Sequence, residues 1–227
     1  MNDDTDCLFT AADRRQTCIH EAAHAVIYAF GGAFVSEMAV RPEGPGAWQH
    51  TSKRGSVRTD INGICRAELP HSAKSPYVFW DEDSYCMSVN RTGYKKYIQT
   101  RIVGKKSLME ERRWIRSGVC AALAGPIADA ISDSVEIALA PECNEIGNND
   151  ICDAEALCML LPWRNEYDFL AIETERLLRT PEIWKRVQDL AAALEVAGTL
   201  GNVDDIPFLP DPIPNWPPTP YRRNKHD

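Results

Sequence analysis

The stretch His20-Glu21-Ala22-Ala23-His24 lies inside a run whose apolar residues recur with helical period, and this coincidence constrains the 227-residue chain more than any other feature. Residues four apart on a helix share one face a single turn apart, so His20 and His24 can turn both imidazoles to one cation. Glu21 is rotated by about 100° from His20, which sets its carboxylate beside the cation's open position, where it can take a proton from water. Ile19, Ala22, Ala23, Val26, Ile27 and Phe30 form an apolar stripe with the two histidines at its edge. Thr10 and Asp13 make a capping-box pattern and Gly31-Gly32 a stop, which predicts a helix over 11–30. The rest of the chain must cover that stripe while leaving the histidines half open.

A catalytic metal site of this kind needs a third protein ligand. Asn148-Asn149-Asp150 reads as a helix start leading into Ile151, Ala154, Leu157, Cys158 and Leu161. On that wheel Asp150 lies about 45° from the centre of the apolar stripe, whereas Asp153 and Glu155 are about 100° away. A carboxylate on the buried side needs a partner, and zinc held by two neutral histidines would be one. The other reading of Asp150 is a first-turn acid favoured by the helix dipole. His50 and His71 are alternative ligands, but neither has a partner at helical ligand spacing. Eight cysteines show no C-x-x-C pair and read as reduced thiols, with Cys143, Cys152 and Cys158 close enough to suggest a second, structural metal.

The fold class expected is mostly α, a helical array with a small β-ribbon next to the metal-site helix. Residues 34–41 read as a strand ended by Pro42, serving either as an edge to which an extended substrate adds or as an ordinary hairpin strand. A second core helix is predicted from Ser107, with Glu110 as its capping partner, through Leu108, Ile115, Val119, Ala122, Leu123, Ile127 and Ala130. Gly125-Pro126 should kink or restart it, and Asp129 just beyond would then come near the metal. Further helices are expected at 163–179 and 181–200, divided by a Thr180 cap and Pro181. Residues 47–105 show weak periodicity and stand as an insertion. One domain over 1–206 is expected, followed by a tail over 207–227. Seven of the fourteen residues from 207 to 220 are proline, so the tail should be extended.

Charge narrows the function classes. The net charge is −8 with the basic residues scattered, which argues against nucleic acid. The acidic N-terminus and the lack of 18 consecutive apolar residues imply no signal peptide and no membrane span, hence a cytoplasmic chain.

Four segments in order resemble the zinc peptidase domain of the FtsH-type ATP-dependent proteases. They are His20 to Val26 with the following glycine and the strand ending Arg41-Pro42; Ala122 to Asp129, similar to the family's L-A/G-G-x-x-A-E segment; Asn149-Asp150-Ile151, similar to its N-D-hydrophobic segment; and the helix 184–200 with its L-A-x-x-L pattern. The resemblance implies a zinc metalloendopeptidase with His20, His24 and Asp150 as ligands and Glu21 as the catalytic base. Ala23 stands where the family usually has Gly, and Asp129 where it has Glu. No phosphate-binding G-x-x-x-x-G-K-[ST] loop is present, so the substrates expected are peptides or unfolded segments, with a separate ATPase or other delivery partner. The alternatives are a non-catalytic peptide-binding or regulatory module that keeps the fold, and a hydrolase of small amides or esters. The sequence leaves the oligomeric state open.

Overall fold

In the computed structural model, which describes residues 8–52, 55–59, 61–68, 77–81, 86–136, 149–201 and 206–220, the first helix begins and ends at its caps. The Thr10 hydroxyl accepts the Asp13 N–H, and the Asp13 carboxylate accepts the Thr10 N–H, opening α1 (Ala11–Phe30). The two glycines that end it have different tasks. Gly32 takes a φ of 85°, letting the chain reverse into β1 (Phe34–Val40). Gly31 has an ordinary φ, but a Cβ there would collide with Ser117 on the facing helix.

That facing helix is α3 (Gly104–Asp133), preceded by α2 (Arg91–Arg101). It starts three residues before the predicted Ser107, after an N-cap Val103 that makes no side-chain cap bond, so the Ser107 and Glu110 pattern lies inside the helix. Nor does Gly125-Pro126 restart it. Pro126 forfeits one backbone donor, while Leu123, Ile127 and Ala128 around it are fully buried and hold the helix in place. Along the α1 contact α3 offers Ser117, Ala121, Ala124 and Gly125, small residues that let the two backbones approach closely. The other helices, α4 (Asn149–Cys158), α5 (Glu166–Leu178) and α6 (Pro181–Ala197), complete the core: α4 and α5 pack on α3, and α6 on α1. Leu157, Leu170, Leu190 and Leu194 are fully buried there, each contributing about 1.5–3 kcal/mol of apolar transfer free energy.

The expected helix 163–179 begins at Glu166, and the expected helix 181–200 ends at Ala197 because Gly198 turns with a φ of 70°. Thr180 does occupy the N-cap with Pro181 behind it, but its hydroxyl donates back to the Arg176 carbonyl instead of capping. Release of the chain at Gly198 lets β7 (Thr199–Leu200) pair with β1.

Residues 47–105 account for most of the β structure. There lie β2 (Gln49–Thr51), β3 (Val57–Thr59), β4 (Gly63–Glu68), β5 (Val78–Asp81) and β6 (Cys86–Val89). Besides a three-stranded antiparallel sheet in the order β4-β1-β7 there are two antiparallel ribbons, β2–β3 and β5–β6, the second packed on α4. The fold is thus mostly helical with small antiparallel sheets. Of the two readings of β1, an edge strand and an ordinary hairpin strand, the sheet favours the second: β1 is central, pairing with β4 along its length and with β7 at Met38 and Ala39, so β4 and the two-residue β7 are the edge strands of this sheet among the described residues. On the sheet face bearing Glu37, its buried carboxylate takes His50 at 3.1 Å and Arg66 at 3.3 Å, tying β2 to the sheet.

Residues 206–220 of the proline-rich tail lie along the domain. Ile213 donates its N–H to the Phe30 carbonyl at 2.9 Å, and Trp216 is buried. No helix among the described residues is long and apolar enough to cross a membrane.

One buried ion pair ties the array together. Arg116 of α3 donates through two nitrogens to Glu166 in the first turn of α5, at 2.7 and 2.9 Å, with 4 % and 0 % of the side chains exposed. Glu166→Ala would leave the guanidinium buried without a counter-charge and is expected to cost ~3–5 kcal/mol. A denaturant midpoint unchanged from wild type would show that water reaches Arg116 on the loss of its partner.

Candidate metal centre

His20 and His24 come from consecutive turns of α1, and their rings meet edge to face at a centroid distance of 4.6 Å. Each has one nitrogen committed to the protein. The His24 Nδ1 lies 2.6 Å from the Ala121 carbonyl of α3. A carbonyl can only accept, so Nδ1 carries the proton and Nε2 keeps its lone pair. The His20 Nδ1 lies 2.7 Å from the Asp129 Oδ2, and Gln16 donates to the other oxygen of that carboxylate at 2.7 Å. Gln16, His20 and His24 therefore form one i, i+4, i+8 row on α1, backed by α3.

The two free Nε2 atoms turn to the same atom on a third helix. Asp150 Oδ2, in the first turn of α4, stands 3.1 Å from His20 Nε2 and 3.4 Å from His24 Nε2. These three side chains can hold a metal ion, and theirs is the group among the described residues with three ligand atoms close enough to do so. Exposure rises from 8 % for the His24 side chain through 22 % for His20 to 38 % for Asp150, so the centre opens toward the α4 side.

The charges are balanced for a cation. Burial would raise the Asp150 carboxyl, but His24 and His20 beside it hold it well below the usual carboxylate range. Burial disfavours the His20 imidazolium, yet the hydrogen bonds to Asp129 and Asp150 carry it well above the ordinary histidine value; His24 is raised through Asp150 against the same penalty. Where protons would otherwise gather, a divalent ion satisfies the same groups. Glu21 is nearly buried, and burial pushes its carboxyl up while His24 and His20 pull it down. Its carboxylate has no hydrogen-bond partner among the described residues.

Two glycines make room for this arrangement. A Cβ on Gly125 would press on the His20 ring and come within 2.6 Å of His24 Nε2, and one on Gly63 of β4 would lie 2.6 Å from Glu21 Oε1. Gly63 pairs with Val40, so the end of the free-edged strand is set directly on the Glu21 carboxylate.

All four sequence-derived site residues, His20, Glu21, His24 and Asp150, thus meet in one place. His50 does not join them, reaching from β2 to pair with Glu37 of β1 instead. His71 and Cys143 lie outside the described residues. Cys18, Cys65, Cys120, Cys152 and Cys158 are free thiols. Asp129 does reach the site, through the His20 ring. Gln16 and Gly63 were missed. Gln16 was open to discovery by counting one turn back from His20, whereas nothing local marks Gly63.

A carboxylate behind a ligating imidazole fixes its orientation and raises its basicity. Asp129→Ala is expected to weaken metal binding roughly 10–100-fold with helix content unchanged, as read by competition with a chromophoric chelator; equal affinity would mean that packing alone orients His20. In comparisons with known sequences, no protein-family model and no curated protein matches the chain.

Proposed function

We propose that this chain is a zinc-dependent metallopeptidase whose domain is akin to the peptidase domain of FtsH-type proteases. The observation that carries the reading is the convergence of His20 Nε2, His24 Nε2 and Asp150 Oδ2 on one point. Zinc bonds of about 2.0–2.1 Å in a tetrahedron separate neighbouring ligand atoms by about 3.3 Å, and the Asp150 oxygen lies 3.1 and 3.4 Å from the two nitrogens. Two neutral imidazoles and a carboxylate also match the three-ligand set of catalytic zinc sites, which leave a fourth position open. Zinc held there supplies Lewis acidity, lowering the pKa of a water toward about 7 and polarising a carbonyl.

The remaining work falls to the protein. Glu21, buried and without a hydrogen-bond partner, takes a proton from the attacking water as its oxygen bonds to the scissile carbonyl carbon. When the C–N bond breaks, Glu21 returns that proton to the departing amine nitrogen. The free edge of β4 suits an extended substrate, whose main chain would add as a further strand and pass Gly63 on its way to Glu21. An edge that recognises main chain accepts peptides and unfolded segments of varied sequence, supplied by a separate ATPase or other delivery partner. The free thiols accord with a reducing, cytoplasmic setting.

The test is cleavage of an unstructured protein by the purified chain. Zinc-loaded protein is expected to cut it, a strong chelator to stop the reaction, and added zinc to restore it. Stoichiometric zinc with no cleavage of any unstructured substrate would overturn the peptidase reading in favour of a non-catalytic module.

A further inference from the structure

At the C-terminal end of α4, away from Asp150 in its first turn, lies an open pocket of about 690 Å³ that the metal chemistry does not use. Its walls come from the N-terminal turn of α2, the C-terminal half of α4, the loop that follows and the start of α5. The nearest wall residue on α4, Glu155, lies five residues from Asp150, about 7.5 Å along a helix, and none of His20, Glu21, His24 and Asp150 lines the pocket, so pocket and metal centre are distinct.

The lining has two characters. Tyr94, Trp163 and Tyr167 bring aromatic surface, continued by the apolar loop at 159–162. Arg91 and Arg164 bring two guanidinium groups, exposed and without a carboxylate partner among the described residues. Glu155, the one acid on the wall, pairs with neither, and burial pushes its carboxyl up. Tyr94 is 7 % exposed, and its buried hydroxyl has no hydrogen-bond partner. Two arginines without a carboxylate partner among the described residues, beside an open aromatic surface, stand out in a chain of net charge −8.

From these residues we infer that the pocket is a binding site for a small amphiphilic anion, an aromatic body bearing a carboxylate or phosphate. The volume is that of small-molecule sites, which combine apolar walls with a few fixed polar groups. A guanidinium offers parallel N–H donors that match the oxygens of either anion, and Trp163 and Tyr167, both partly exposed, offer ring surface on which a flat body can stack. An uncharged apolar molecule would leave both guanidinium groups unused.

Calorimetric titration of the zinc-loaded chain with 2-naphthoate, 2-naphthyl phosphate and the uncharged 2-naphthamide tests the inference. One anion or both should bind at a single site, at least tenfold tighter than the amide. Arg91→Gln with Arg164→Gln should remove that advantage while leaving the circular dichroism unchanged, since both side chains are exposed. The preferred anion identifies the headgroup. Equal binding of the amide, no binding at millimolar concentration, or anion binding that survives both substitutions, as it would at the metal centre, overturns the proposal.

Discussion

Glu21→Gln is expected to lower peptide cleavage by about 10²–10⁴-fold, the usual contribution of a positioned general acid–base, while leaving zinc bound. The amide keeps the size of the carboxylate but cannot take the proton of the attacking water. The metal should stay because its proposed ligands are other residues: His20 and His24 keep their Nδ1 atoms on Asp129 and Ala121, and their Nε2 atoms stay turned to Asp150. Stability should hold or rise slightly, since the wild-type carboxylate is nearly buried with no hydrogen-bond partner among the described residues and a neutral amide is cheaper to bury. Rates on an unstructured protein, with zinc content measured on the same preparation, separate the two roles. Undiminished cleavage would remove Glu21 from the mechanism, and lost zinc would make it a ligand or a prop for one.

A single methyl group should empty the same centre. Gly125→Ala improves helix propensity by about 1 kcal/mol, so a local account of α3 anticipates no harm. The added Cβ, however, would press on the His20 ring and stand 2.6 Å from His24 Nε2, on the side where both histidines face Asp150. Bound zinc should fall from near one per chain to near zero, with the helical signal retained. Asp150→Ala should do likewise by removing the carboxylate itself. Zinc retained in the Gly125 variant would mean that α1 and α3 separate easily; zinc retained in the Asp150 variant would mean that another group completes the site. The two failures are distinguishable because only the first leaves the ligand set intact.

The helix that carries the candidate ligands His20 and His24 was legible because its information is local. Thr10 and Asp13, the apolar stripe, the histidine spacing and Gly31-Gly32 all act within a few turns, and the helix runs over the expected residues. The strand after it and the start of α4 at Asn149 were readable for the same reason. Ser107 misled because a capping pattern stabilises a helix start only where the preceding residues leave the helix, and here the chain is already helical from Gly104, through residues that are exposed. The proline at 126 does not restart α3, because burial on both sides of it outweighs one lost backbone hydrogen bond, and Asp129 beyond it does come to the site. Residues 47–105 were opaque because their strands are short, and three to six residues carry too little period to be read alone.

By itself the sequence determined the helix that bears His20, Glu21 and His24, the mostly helical class and the candidacy of Asp150. Tertiary structure alone decided that Asp150 comes to the two histidines across 130 and 126 residues of chain, that Asp129 stands behind His20 from 109 residues away, and that Gly125 and Gly63 leave the space. It also decided that β1 lies at the centre of its sheet with β4 at one edge, and that Arg116 finds Glu166. The division has one cause. Helix periodicity and caps are set by neighbours in sequence, whereas ligand convergence, close approach and strand order depend on how separate elements pack against each other.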